Sequence, residues 1–355
     1  MSSTTRVALA LGSGGARGYA HIGVIQVLEE RGYEIVTIAG SSMGALVGGL
    51  HAAGRLDPYA RWVQGLTQRD VLRLLDPSPS SPGVIRAEKI MAKVRELLDG
   101  VLIEDLPVPF TAVATDLLAR KEVWFQEGPV DVAVRASIAL PSIITPVMVN
   151  GRLLADGGIL NPVPIAATVA SRADVTVAVS LSGDRTPGEG RVPDRETAAA
   201  RPAEERAERF RRSAAHLLDR ELTRTVLDRF AETRGRGAAA RARRLGEEPL
   251  EEVPQELPQL LDDELLEEAA EDVLGALPAG LRTLDVMQLS LEALQSMVLR
   301  YRLAGYPPDL LITVPKRTGR LLDFHRAEEL IAFGRRATEE ALDRAEDFPP
   351  PRSAP

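Results

Sequence analysis

The chain has 355 residues, 45% of them apolar and 26% charged, which suits a soluble globular protein with one large domain or two smaller ones. It has no cysteine, which excludes disulfides, thiolate metal sites and a cysteine nucleophile. A net charge of −8 argues against a general nucleic-acid binder, because phosphate contact needs clustered Lys and Arg.

In chain order, Val7–Leu11 is a short apolar run that reads as a strand and ends in the glycine cluster Gly12 to Gly18. The run is too short for a signal peptide, and no stretch approaches the roughly 18 apolar residues of a membrane span. The expectation is therefore a cytoplasmic protein, with room for membrane association at the periphery. A helix is predicted over Tyr19 to Arg31, stopped by Gly32. Ile35–Ala39 is a second strand, Gly40–Gly44 a sharp turn, and about Ala45 to Ala53 a second helix. Strand, loop, helix, strand, turn, helix is the order of a parallel sheet with helices on its faces.

The chain from Asp57 to about Leu98 reads as mostly helical, interrupted at Asp76–Gly83. Strands resume at Phe110–Thr115 and Glu122–Gln126, turn signals crowd residues 132–170, and Val175–Leu181 is a further strand. Residues 183–280 differ from the rest. After a Gly- and Pro-rich linker, 201–244 carry thirteen arginines against seven acids, whereas 247–272 carry twelve acids and no basic residue. They read as a charged helical insertion of solvated faces, and as a candidate lid, lipid-surface element or oligomer contact. The core pattern returns at Leu281–Leu303, Leu310–Val314 and Phe324–Leu342, before a proline-rich tail, 346–355, expected to be disordered.

Three short segments carry chemistry. Gly40-Ser41-Ser42-Met43-Gly44 is G-x-S-x-G between a predicted strand and a predicted helix, the setting in which that motif presents a serine nucleophile. Glycines on either side of Ser42 remove the Cβ atoms that would clash in so tight a turn, and the helix behind it offers unpaired N–H groups. Gly12-Ser13-Gly14-Gly15-Ala16-Arg17-Gly18 lets backbone N–H groups converge on an anion, which suits an oxyanion or a phosphate. No acid ends the second strand, as a dinucleotide site would require, and no Lys-Ser or Lys-Thr pair follows the loop, as an ATP site would require. Arg17 is a candidate for contact with an oxyanion or a lipid phosphate.

A Ser-His-Asp triad needs a histidine, and the chain has four. His21 and His51 fall early, inside predicted helices, where packing roles are expected; His216 lies in the insertion; His325 is the one triad rival. The better partner is Asp156, in Asp156-Gly157-Gly158, where two glycines let a carboxylate approach another backbone closely. A carboxylate of ordinary pKa near 3.9 is a poor base for a hydroxyl, but desolvation raises it.

These segments, in this order, resemble the bacterial patatin-like phospholipases, a group that includes the neuropathy-target-esterase type of lysophospholipase. Tyr19–Val24, Ala114–Leu117, Arg135–Pro141 and Asn161–Pro164 also resemble stretches usual in that family. The resemblance covers roughly residues 6–182 and, more loosely, 281–342. It implies a three-layer α/β/α fold with a mainly parallel central sheet, and a catalytic core at 1–182 and 281–345. It further implies a Ser42–Asp156 dyad that passes through an acyl-enzyme, with backbone N–H groups of Gly14, Gly15 and Ala16 holding the oxyanion. Asp116 and Ser137 take structural roles. The substrate is then a fatty acyl ester of a phospholipid or lysophospholipid, and no cofactor or metal is implied. Thioesterase or acyltransferase chemistry with the same dyad, and a non-catalytic scaffold acting through the insertion, are the alternatives.

Overall fold

The computed structural model describes residues 4–74, 83–183, 283–346 and 348–350. The calls on the charged insertion at 183–280 and on His216 fall outside these residues, apart from Gly183. Eight strands form the main sheet: β1 (Arg6–Leu11), β2 (Glu34–Ser41), β4 (Phe110–Asp116), β5 (Lys121–Phe125), β7 (Val147–Val149), β8 (Arg152–Asp156), β9 (Val175–Gly183) and β10 (Leu310–Pro315). A separate parallel pair joins β3 (Gly83–Ile85) to β6 (Ser142–Ile144). The helices are α1 (Ala20–Glu30), α2 (Met43–Ala52), α3 (Leu56–Gln64), α4 (Gln68–Leu74), α5 (Glu88–Leu98), α6 (Val130–Ser137), α7 (Thr283–Gly305) and α8 (Ala327–Arg344).

The main sheet runs β10-β9-β1-β2-β4-β8-β7, with β5 on the other edge of β4. Strands β10, β9, β1, β2 and β4 are parallel, whereas β5, β8 and β7 add antiparallel pairs. The centre is therefore parallel, as an alternating strand–helix sequence requires, and buried throughout: β4 has no exposed residue and β1 only a half-buried first one. Helices cover both faces in a three-layer α/β/α arrangement. Long aliphatic runs supply the core, from Leu9, Leu11 and Ile38 on the strands to Ile22, Ile25 and Leu28 on α1.

Local chemistry explains most boundaries. The helix predicted over Tyr19 to Arg31 is α1, and a tight 3-10 turn, Gly15–Tyr19, leads into it from the glycine loop, where Gly15 takes a left-handed φ of 58°. Asn150 and Gly151, at φ 49° and 75°, are the two central residues of the hairpin joining β7 to β8. That hairpin and helix α6 both lie in the stretch that showed only turn signals in sequence. The tail expectation needs correcting for its first residues. Phe348 is buried against Tyr33, and the carbonyls of Pro349 and Pro350 accept hydrogen bonds from Tyr33 and Thr5 at 3.1 and 3.0 Å. Among the described residues no helix is long and apolar enough to cross a membrane.

Candidate active site

Strand β4 acts as a ruler that brings the two expected dyad residues together. Residues Ala112–Asp116 pair with β5, Phe110–Val113 with β2, and Ala114–Asp116 with β8. The overlaps put β5 on one edge and leave β2 and β8 sharing the other. The two strands therefore meet end to end along that edge, with Ser41 opposite Val113 and Asp156 opposite Ala114. Ser42 follows Ser41 directly, so it emerges where β8 ends in Asp156. Gly157 completes the approach: a Cβ there would lie 2.0 Å from the Val113 carbonyl oxygen and 3.2 Å from Ser41 Oγ.

The turn at Ser42 is strained. Its backbone sits at φ 56°, ψ −121°, a region that non-glycine residues rarely enter, and Ser42 caps the N-terminus of α2. Contacts on all sides hold it there. A Cβ at Gly40 would lie 2.3 Å from the Gly44 carbonyl oxygen, and one at Gly44 would lie 2.0 Å from that of Leu11, so neither position accepts a side chain. Ser137 Oγ accepts the Ser42 N–H at 2.8 Å and donates to the Val113 carbonyl at 2.6 Å. Ser41 donates its hydroxyl to the Asn161 carbonyl at 2.7 Å, which turns it away from the cavity.

Asp156 is 2% exposed. Its Oδ1 accepts the Gly158 N–H at 2.7 Å, its backbone carbonyl accepts from Thr115 Oγ1, and its N–H donates to the Ala139 carbonyl. Burial pushes its pKa up to about 6, against the opposing pull of the facing Ser42 hydroxyl and of the Gly158 N–H. The carboxyl thus titrates much closer to neutrality than an ordinary aspartate.

The glycine loop lies across from this pair. Ser13 N–H donates to the Pro162 carbonyl and Gly12 N–H to that of Val179, which anchors the loop's first half. His21 is fully buried and supports the same stretch: Nε2 meets the Gly12 carbonyl at 2.8 Å, and burial lowers the ring pKa to about 4. The neutral ring must therefore carry its proton on Nε2, and it faces the loop's backbone. Among the described residues, the N–H groups of Gly14 and Gly15 have no acceptor. Ala16 differs from expectation, because its N–H donates to the Leu321 carbonyl at 2.9 Å. That bond removes Ala16 from the set of free donors. Arg17 donates Nε to the Gly14 carbonyl at 3.2 Å and Nη1 to that of Lys316 at 3.4 Å. Burial lowers its pKa, with Glu292 acting in the other direction.

Two chambers meet at Ser42. One is apolar, lined by residues such as Tyr19, Met43, Leu46, Trp62, Ile143 and Phe324, with a volume of about 80 Å³. That is several times the ~10–15 Å³ that one water needs, and it offers a water almost no polar partner. The other, of about 50 Å³, is polar and holds Ser13, Arg17, Asp156, Glu292, Gln295 and Lys316. Gly15, Ser42, Leu140 and Leu321 belong to both.

Several of these residues gave no sign in the sequence. Lys316 Nζ pairs with Glu292 at 3.0 Å, linking the chain after β10 to α7. Glu122 pairs with Arg302 of α7 and accepts from Asn161 Nδ2 at 2.9 Å, which connects α7 to the segment after Asp156. Asp116 takes the structural place foreseen for it, accepting the N–H groups of Leu118 and Ala119 in a turn. His325 lines neither chamber, and His51 stands 3.8 Å from Glu29, away from the site. Among the described residues no group of three or more His, Asp or Glu side chains is placed to hold a metal ion.

Residues 9–169 match the family model described as patatin-like phospholipase. An uncharacterised NTE family protein of Mycobacterium tuberculosis is 53% identical over 355 residues, covering 97% of this chain and 93% of that protein. The chain belongs to the NTE family of patatin-like phospholipases. The patatin-like phospholipase domain-containing protein 6 of Mus musculus is 33% identical over 190 residues, covering 51% of this chain and 14% of that protein. The solved structure of VipD from Legionella pneumophila aligns with a TM-score of 0.38 and 16% identity, covering 58% of this chain and 52% of that one. Family membership supports lipid-ester hydrolysis as the class of activity.

Proposed function

We propose that this NTE family protein hydrolyses fatty acyl esters of phospholipids or lysophospholipids, with Ser42 as nucleophile and Asp156 as the general base. One observation carries this reading: Ser42 stands at the junction of an apolar and a polar chamber, facing a desolvated carboxyl. An amphiphile with its ester carbonyl at Ser42 would lay its acyl chain among Met43, Leu46 and Ile143 and its polar part beside Arg17 and Lys316. A pKa near 6 leaves Asp156 mostly ionised at neutral pH yet basic enough to accept the hydroxyl proton.

As Ser42 Oγ attacks, its proton passes to Asp156 and the carbonyl oxygen becomes an oxyanion. The N–H groups of Gly14 and Gly15 are the donors proposed for it. Arg17 holds the Gly14 carbonyl, which fixes the plane of the Gly14–Gly15 peptide and hence the direction of the Gly15 N–H. Collapse of the intermediate breaks the ester C–O bond, and the proton on Asp156 goes to the departing alcohol. Asp156 then takes a proton from water, whose oxygen attacks the acyl-enzyme; collapse breaks the bond from the acyl carbon to Ser42 Oγ, the proton on Asp156 returns to that oxygen, and the fatty acid leaves. A fluorophosphonate probe tests the assignment. The wild type should label and Ser42→Ala should not; labelling of Ser42→Ala would refute it.

A further inference from the structure

Helix α7 divides cleanly into two faces. At 100° per residue, Val286, Met287, Leu289, Leu294, Met297 and Tyr301 fall in one arc of roughly 160°. All six are exposed, among them Leu294 at 55% and Tyr301 at 74%. The opposite arc carries Gln295, which lines the polar chamber, and Leu299, which is buried in a small core cluster with Val163 and Ile165. From Val286 to Tyr301 the exposed stripe runs about 22 Å at 1.5 Å per residue. Apolar stripes of this length on a protein surface mark contact with another apolar phase.

The charges around the stripe identify that phase. The described side chains of the exposed arc include no acid, and their one charge is Arg300. Across the polar chamber, Arg317 and Arg320 are exposed in the segment that begins with Lys316, which is tied to Glu292 of α7. Among the described residues, none of Arg300, Arg317 and Arg320 forms an ion pair. Leu322, exposed beside them, also lines the apolar chamber. Apolar side chains flanked by unpaired arginines, with a tyrosine at the end of the stripe, are the composition of a helix lying in an anionic lipid interface. A second copy fits poorly, since a two-fold contact would set like-charged rims against each other.

We infer that the exposed face of α7, with Arg300, Arg317 and Arg320 as its basic rim, docks this protein on an anionic lipid surface beside the mouth of the polar chamber. The inference rests on the lipid-ester reading for its occupant, but its test does not depend on catalysis.

Co-sedimentation of the full chain with phosphatidylcholine vesicles, with and without phosphatidylglycerol, tests it. The wild type should bind the anionic vesicles, and Ser42→Ala should bind equally. Leu294→Glu/Met297→Glu should lower partition at least tenfold on both vesicle types. Arg317→Gln/Arg320→Gln should lower it about fivefold per arginine on anionic vesicles only. All these surface variants should keep the wild-type rate on a soluble short-chain ester, which shows that the fold and site are intact. No binding by the wild type, or undiminished binding by Leu294→Glu/Met297→Glu, would overturn the inference. If that variant instead dissociates an oligomer while vesicle binding stays unchanged, the face belongs to a second copy and the proposal fails. Loss of activity in Ser42→Ala bears only on the catalytic assignment, so the two readings fail separately.

Discussion

The two chambers at Ser42 are built in different ways. The apolar one is walled largely by α2 and α3, elements packed into the principal core, and is completed by the chain around β6 and by Leu321, Leu322 and Phe324 after β10. The polar one is closed by α7 and the segment after β10, far along the chain, where the Lys316–Glu292 and Arg302–Glu122 pairs add to the burial of Leu299. Burial fixes the first wall, whereas partly exposed ion pairs position the second. Such pairs contribute little stability each, so the second wall is the one whose position small changes can alter.

The largest expected effect lies at the junction, at Ser42 and the Asp156 carboxyl that faces it. Ser42→Ala should abolish ester hydrolysis, by about 10⁴-fold or more. Asp156→Asn should cost about 10²–10⁴-fold in kcat, the range of a lost general base. Melting temperature separates this from misfolding and carries its own sign. With the folded Asp156 pKa raised from 3.8 to about 6, the native state binds the proton more tightly than the unfolded chain. Its stability therefore falls as pH rises between those values, by roughly 3 kcal/mol in all. Asp156→Asn should thus be more stable than the wild type at pH 8, and the advantage should shrink towards pH 4. Equal melting temperatures at both pH values would argue against a buried, raised carboxyl.

The pH profile follows from the same group. The base must be ionised, so kcat/KM on a soluble ester should fall about tenfold per pH unit below about pH 6 and level off above it. Next in size is the apolar wall. Ile143→Trp should shift preference from long towards short acyl chains, on the order of tenfold in relative kcat/KM, with short-ester hydrolysis kept. The polar wall should give the smallest effect. Lys316→Met should change KM for a phospholipid two- to threefold, in line with the worth of one partly exposed pair. If Lys316→Met exceeds Ile143→Trp, the contrast between the walls is wrong.

How much was legible in the sequence follows the same division. The strand–turn–helix around Ser42 is local, set by Gly40 and Gly44 within a few residues of the serine. The Asp156-Gly157-Gly158 segment is equally local, and so both could be located in the sequence. Ala16 could not be read correctly, because its amide is taken by Leu321, some 300 residues away, and no local pattern reports that. Helix α6 was hidden for a different reason: it is only eight residues long and rich in β-branched Val130, Val132 and Val134, and tertiary packing overrides that weak local preference. Glu292, Arg302 and Lys316 sit in ordinary amphipathic surroundings, and only their partners make them part of the site.

The meeting of β2 and β8 on one edge of β4 has a consequence for how this site tolerates change in length. Ser42 and Asp156 hang from two separate ladders counted against a common strand. One residue inserted between Val147 and Ala155 would slide Asp156 along that edge by about 3.3 Å and turn its side chain to the other face of the sheet. The hairpin would still pair and the core would still close, leaving a folded protein in which Asp156 no longer faces Ser42. Side chains around the chambers can change without moving this pair, whereas a change in the length of the hairpin moves Asp156 itself.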